Sequence, residues 1–247
     1  MADALASLFL RRGDDALVLG HRLSEWCGHA PVLEEELALA NLALDLIGQA
    51  RTLYALAAAR GAGADEDALA YLRGDREYRN LLLLELPNGD FAVTIARAFL
   101  YSAFIDPWWR ETARSTDARL AAIAAKAERE SAYHLRHAAE WLIRLGDGTD
   151  ESHHRAQAAL DHLWPYTGEM FEPEDPALVA AGLCPDPPTL RDAWETTVGA
   201  VLTQATLVRP RDGWMQTGGR AGKHTEHLGH MLAVMQSVAR AHPGATW

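Results

Sequence analysis

Between Pro31 and Gly61 the chain reads as a helix that is apolar on most of its sides, and such a helix belongs in the centre of a fold. Leu33, Leu37, Ala40, Leu44 and Ile47 form one apolar stripe, and Leu39, Leu42, Leu46 and Leu53 cover another face. Pro31 suits the first helical position, and Glu34, Glu35 and Glu36 put negative charge where the helix dipole favours it. Gly61 ends the segment. Alanine and then leucine dominate the whole chain, and runs of β-branched residues are missing, so helix is the expectation throughout.

The punctuation divides the remainder into further helices. A first runs from about Ala4 to Cys27 with a bend at Gly13, and a shorter one from about Asp67 to Leu84, before Pro87-Asn88-Gly89. Long helices are expected over Asp90–Arg114, bent at Pro107, and over Ala118–Leu145. Another spans Ser152–Phe171 around Pro165, residues 172–188 read as a loop, and helices at Thr189–Leu207 and Thr225–Ala241 flank a glycine-rich connection. With no repeat and no long linker, residues 1–247 are expected to form one all-α domain, a four-helix bundle with additional helices.

Composition removes several classes of function. A net charge of −11 opposes the phosphate neutralisation that a nucleic-acid partner demands. Cys27 and Cys184 lie in no metal-binding pattern, and two free, buried thiols are expected of a cytoplasmic protein. The longest apolar stretch, Leu37 to Ile47, is interrupted by Asn41 and Asp45, so no membrane span is expected. Arg11 and Arg12 follow the apolar residues Leu5 to Leu10, the wrong order for a signal peptide. The segment Thr217–Thr225 imitates a phosphate-binding loop, but its first glycine position is Thr217 and no strand precedes it.

Three constellations have chemistry to offer. His224, His227 and His230 share helical spacing, without the His-Glu-x-x-His order of zinc hydrolases; polar residues at a helix start are the plainer reading. Arg73, Arg76 and Arg79 form a basic stripe. It is either a solvated face paired with Asp75 and Glu77, at about 0.3–0.5 kcal/mol per pair, or a phosphate site. Asn41, Asp45 and Gln49 put a polar stripe on the central helix, which buried surroundings would oblige to meet other polar groups such as Glu25, Glu130 and His134. That suggests a di-iron bundle, yet a di-iron site needs Glu-x-x-His on each of two helices. Here the motif occurs only at Glu151–His154, in a polar helix start away from the stripe.

Leu23-Ser-Glu-Trp-Cys-Gly-His-Ala-Pro31, Leu37 to Arg51, Pro87-Asn-Gly-Asp-Phe-Ala92 and His224-Thr-Glu-His-Leu-Gly229 closely resemble the C subunits of the bacterial phenylacetyl-CoA epoxidases, and the likeness runs to Trp247. It implies a ferritin-like fold and a non-catalytic, structural subunit of a multicomponent monooxygenase that epoxidises the ring of phenylacetyl-CoA. The related A subunit would carry the di-iron site. A reductase with flavin and iron–sulfur groups would bring electrons from NADPH, and this chain would bind no cofactor.

Placed on this sequence, the A-subunit ligands implied by the resemblance fall on Glu25, on Leu46 and Gln49, on Ser131 and His134, and near residues 99–102, where no carboxylate stands. The resemblance further implies a contact with the substrate's CoA at Glu77, Tyr78, Arg79 and Asn80 and at Pro176, Ala177 and Leu178. Two rivals remain: an oxygenase with an unconventional metal site made of Glu25, Asp45, Glu130 and His134, and a stand-alone helical binding module. A large interface with the A subunit would be anchored by exposed aromatic residues, for which Trp108, Trp109, Trp164 and Trp214 are candidates, unless they fill the core.

Overall fold

Gly13 and Gly20 let the first two helices approach closely. In the computed structural model, which describes Ala2 to Ala245, a Cβ on Gly13 would lie 2.6 Å from the Tyr54 ring and one on Gly20 3.2 Å from the Ala43 carbonyl oxygen. Residue 13 thus faces 54 and residue 20 faces 43–47, so α1 (Ala2–Ser24) and α2 (Leu33–Ala58) run antiparallel. α3 (Glu66–Tyr71) and α4 (Leu82–Glu85) follow. Then come α5 (Phe91–Thr112), α6 (Ala118–Gly146), α7 (Asp150–Leu163), α8 (Pro176–Ala180), α9 (Arg191–Gln204), α10 (Glu226–Met235) and α11 (Ser237–Ala241), with no strand among the described residues.

The residues gather into two compact units, 1–87 with 217–247, and 88–216, although no linker in the sequence marks the division. The first unit is built on α1 and α2. The second is built on α5 and α6, antiparallel because Asp106 meets Ser131 and Phe91 meets Trp141. Asp65, Asp90, Asp117, Thr149 and Asp175 cap the helices that follow them, each side chain accepting from a backbone N–H of the first turn.

Several expectations need correction. α1 stops at Ser24, leaving Glu25 to Cys27 in a turn, and Cys27 is exposed while Cys184 is buried. α2 starts at Leu33, because Val32 is extended at φ −147° and leaves Pro31 outside. Leu33, Leu37 and Leu44 are exposed, so α2 is not covered on every side. The helix expected over 67–84 is broken by extended backbone at Gly74 and Tyr78, with a single 3-10 turn, Asp75–Glu77, between them. Pro165 ends α7 in two successive 3-10 turns, whereas α5 continues through Pro107. The loop at 172–188 contains α8. Trp108, Trp109 and Trp164 are buried; Trp214 is 77 % exposed.

Candidate functional site

In the first unit a fully buried pair of acids, Asp14 and Asp15, organises the segment expected to touch CoA. Asp14 accepts from the Tyr54 hydroxyl at 2.5 Å, from the Arg73 guanidinium, and from the backbone N–H of Arg79 at 2.7 Å. Asp15 takes a two-pronged contact from Arg220 at 2.7 and 2.9 Å, and accepts from the N–H of Leu81 at 2.9 Å. Arg73 stacks 4.2 Å from the centre of the Tyr78 ring. Burial disfavours the Arg73 cation, but Asp14 and Tyr54 more than compensate, so its pKa is raised and it stays charged. Burial, seconded by Asp14, lifts the Tyr54 hydroxyl well above its ordinary range, so it remains a donor.

A second knot closes the segment. Glu85, alone in a run of buried leucines, accepts from Asn80 at 2.9 Å, from His224 Nδ1 at 2.7 Å and from the N–H of Thr225 at 2.6 Å. Arg22 donates to the Glu85 carbonyl at 2.6 Å and to Glu25 at 2.8 Å. Burial opposes the His224 cation, but the hydrogen bond and charge of Glu85 outweigh it and raise the pKa above 6.5. Every carboxylate in these knots meets a cation or N–H donors, so they hold backbone in place.

These contacts decide which expected residues face water. The Tyr78 and Asn80 side chains are buried, Tyr78 donating to the Ala70 carbonyl. Arg79 is half-buried and donates at 2.6 Å to the carbonyls of Arg76 and Tyr78. Glu77 is exposed and accepts from the N–H of Gly74 at 2.8 Å. The arginine stripe is therefore corrected in its pairing and in its helical spacing. Arg73 pairs with Asp14 instead of Asp75 or Glu77, and residues 73–79 are not one helix. Arg76 is exposed, its guanidinium without a hydrogen bond or ion pair among the described residues. In the second unit Pro176 and Ala177 are exposed and Leu178 is buried.

The histidine series also separates, because His224 precedes α10 and is buried on Glu85, while His230 is exposed. A cavity of about 620 Å³ between α3 and α11 is bordered by Asp65 and Asp67, which would repel phosphates.

Among the positions matched to iron ligands, Glu25 lies beyond the end of α1 and is partly exposed beside Arg22. Leu46 is buried hydrocarbon. Asn41 is exposed, Asp45 half-buried and Gln49 buried, so the polar stripe passes from water to interior along α2. Ser131 is buried 3.4 Å from Asp106, His134 is buried, and Glu130 pairs with Lys126 at 3.1 Å. Asp106 escaped the sequence reading because it stands one turn beyond residues 99–102. Burial raises its pKa, with Glu128 adding to the shift and Arg110 and Ser131 opposing it. This donor set does not fit a di-iron centre, since Leu46 and Ser131 supply no carboxylate and Glu130 is paired with Lys126. Among the described residues no three His, Cys, Asp or Glu side chains are grouped to hold a metal ion.

Asp14, Asp15 and Glu85 are the residues sequence reading missed. Their signal was acids set inside apolar runs, which cannot be buried without partners.

Comparison with known proteins decides the lineage. The model of the phenylacetic acid catabolic protein family matches residues 1–247. The chain belongs to that family. As a member it has the family's all-α, ferritin-like fold. The C subunit of the 1,2-phenylacetyl-CoA epoxidase of Escherichia coli (strain K12) is 50 % identical over 249 residues, covering 98 % of this chain and 99 % of that protein. No described helix is long and apolar enough to cross a membrane.

Proposed function

We propose that the chain is the non-catalytic, structural C subunit of a phenylacetyl-CoA 1,2-epoxidase acting in aerobic phenylacetate degradation in the cytoplasm. It binds no cofactor itself and supports a related A subunit that carries the di-iron site, while a reductase supplies electrons from NADPH. Neither nucleic acid nor membrane is a partner. The observation that carries the reading is the 50 % identity to a C subunit over 98 % of the chain, and it is supported by Leu46 and Ser131 standing where the resemblance expects iron ligands.

Substrate contact is proposed at Glu77–Asn80, whose backbone Asp14 and Asp15 hold rigid, and at Pro176–Leu178. The exposed, unpaired Arg76 is the cation best able to meet a CoA phosphate there.

The experiment is reconstitution. The A subunit and reductase should epoxidise phenylacetyl-CoA at the full rate only when this chain is added. Full activity without it would refute the structural role, and failure to co-purify with any epoxidase component would favour a stand-alone binding module.

A further inference from the structure

After α9, residues 205–216 form a strap without regular structure that is pinned at nearly every step. It begins with Thr206 in the left-handed region at φ 57°, a conformation rare for a β-branched residue, held by its hydroxyl donating to the Gly146 carbonyl at 3.2 Å. Gly146 is required there, since a Cβ would lie 2.2 Å from the Ala205 carbonyl oxygen. The side-chain amide of Gln157 grips Val208 on both sides, accepting from its N–H at 2.8 Å and donating to its carbonyl at 3.0 Å. Arg209 forks onto Glu195 at 2.9 and 3.1 Å, bonds Asp212 at 3.0 Å and lies over the Trp164 ring. Asp212 accepts from Trp164 Nε1 at 3.0 Å, and the N–H of Gln216 donates to the Pro165 carbonyl at 2.7 Å.

The clamps leave Val208 and the run 211–214 exposed, and of these Val208, Arg211 and Trp214 carry side chains that the clamps do not use. Val208 is 70 % and Trp214 77 % exposed, and Arg211 is exposed with no hydrogen bond or ion pair among the described residues. A tryptophan left in water this way keeps a large apolar area hydrated, and a loose loop would fold it back. The clamps prevent that. Preorganised tryptophan and arginine side chains are the usual anchors of protein interfaces, because little ordering entropy remains to be lost on binding. The cleft beside Trp214 has about 120 Å³, well under the roughly 300–1,000 Å³ of a small-molecule site, so Trp214 acts as a knob and not as a pocket wall.

We propose that the strap Val208–Trp214 is a docking surface for another protein subunit of the epoxidase, with Trp214 entering an apolar pocket whose rim offers a carboxylate to Arg211. This deepens the function proposed above and rests on it. Two copies of a chain of net charge −11 repel one another, which disfavours self-association as the purpose of the strap.

The test titrates wild type, Trp214→Ala and Arg211→Glu onto immobilised epoxidase subunits, with thermal unfolding of each isolated chain as the control. Trp214→Ala should weaken binding about 30-fold or more and Arg211→Glu about tenfold, without a change in unfolding temperature. If wild type binds and both variants bind within about threefold of it, the strap inference fails while the reading as an epoxidase component stands. If wild type binds none of the epoxidase subunits, both fail. If Trp214→Ala instead splits a dimer of the isolated chain, the occupant is a second copy and the proposal is overturned.

Discussion

His224 presents both ring nitrogens to acceptors: Nδ1 lies 2.7 Å from Glu85 Oε2, while Nε2 lies 3.0 Å from the Tyr78 carbonyl oxygen. Carrying two protons, the imidazole donates to both, and the raised pKa favours this imidazolium–carboxylate pair, buried on both sides. It fastens the start of the 224–245 segment to the chain around Tyr78 and Glu85.

A pH dependence follows from the raised pKa of His224. The stabilisation is fully present below about pH 6.5, the unfolded value, and is lost as pH rises through the higher folded value. Urea unfolding of wild type and His224→Ala should differ by about 1.5–3 kcal/mol near pH 6, and the gap should shrink towards about pH 9. A gap that widens with pH would contradict the charged assignment.

Asp14→Asn should destabilise the protein by about 3–5 kcal/mol, because it leaves the buried Arg73 cation without its counter-charge. Arg76→Ala, on the exposed side of the same segment, should cost under about 0.5 kcal/mol. Chemical denaturation of the two variants gives the comparison directly.

Gly222 sits at φ 74°, and a Cβ there would lie 2.4 Å from the Arg76 carbonyl oxygen, so Gly222→Ala should cost about 2 kcal/mol or more. Gly199, inside α9 with nothing near its missing Cβ, should behave oppositely, Gly199→Ala adding about 0.5–1 kcal/mol. Melting temperatures should move in opposite directions.

Asp106 offers a sign test in the other unit. Its raised pKa means that the ionised form is disfavoured on folding, so stability falls as pH climbs from the unfolded value near 3.8 through the folded one. Asp106→Asn should flatten that fall in denaturation curves recorded between about pH 4 and pH 7. An unchanged slope would show that burial does not govern this carboxyl.

Anaerobic loading with ferrous iron followed by elemental analysis should find no stoichiometric metal, given hydrocarbon at Leu46 and a hydroxyl at Ser131. Close to two irons per chain would restore the rival metal site of Glu25, Asp45, Glu130 and His134.

Much was written locally. The order of the long helices follows from apolar periodicity between glycine and proline breaks, and their starts from capping residues such as Asp90 and Asp117, because these effects act within a few residues of chain. The leucines and alanines of 67–84 favour a helix, while the N–H groups of Arg79 and Leu81 donate to Asp14 and Asp15 and so draw that backbone out of it.

By itself, then, the sequence determined the all-α class and the long helices. Only the tertiary structure decided which charges are interior and which tryptophan is outside. Asp15 meets Arg220 and Glu85 meets His224 across most of the chain, and Trp214 faces water because Gln157, Glu195 and Pro165 clamp its strap. Burial and pairing are properties of distant neighbours, and spacing along a chain does not encode them.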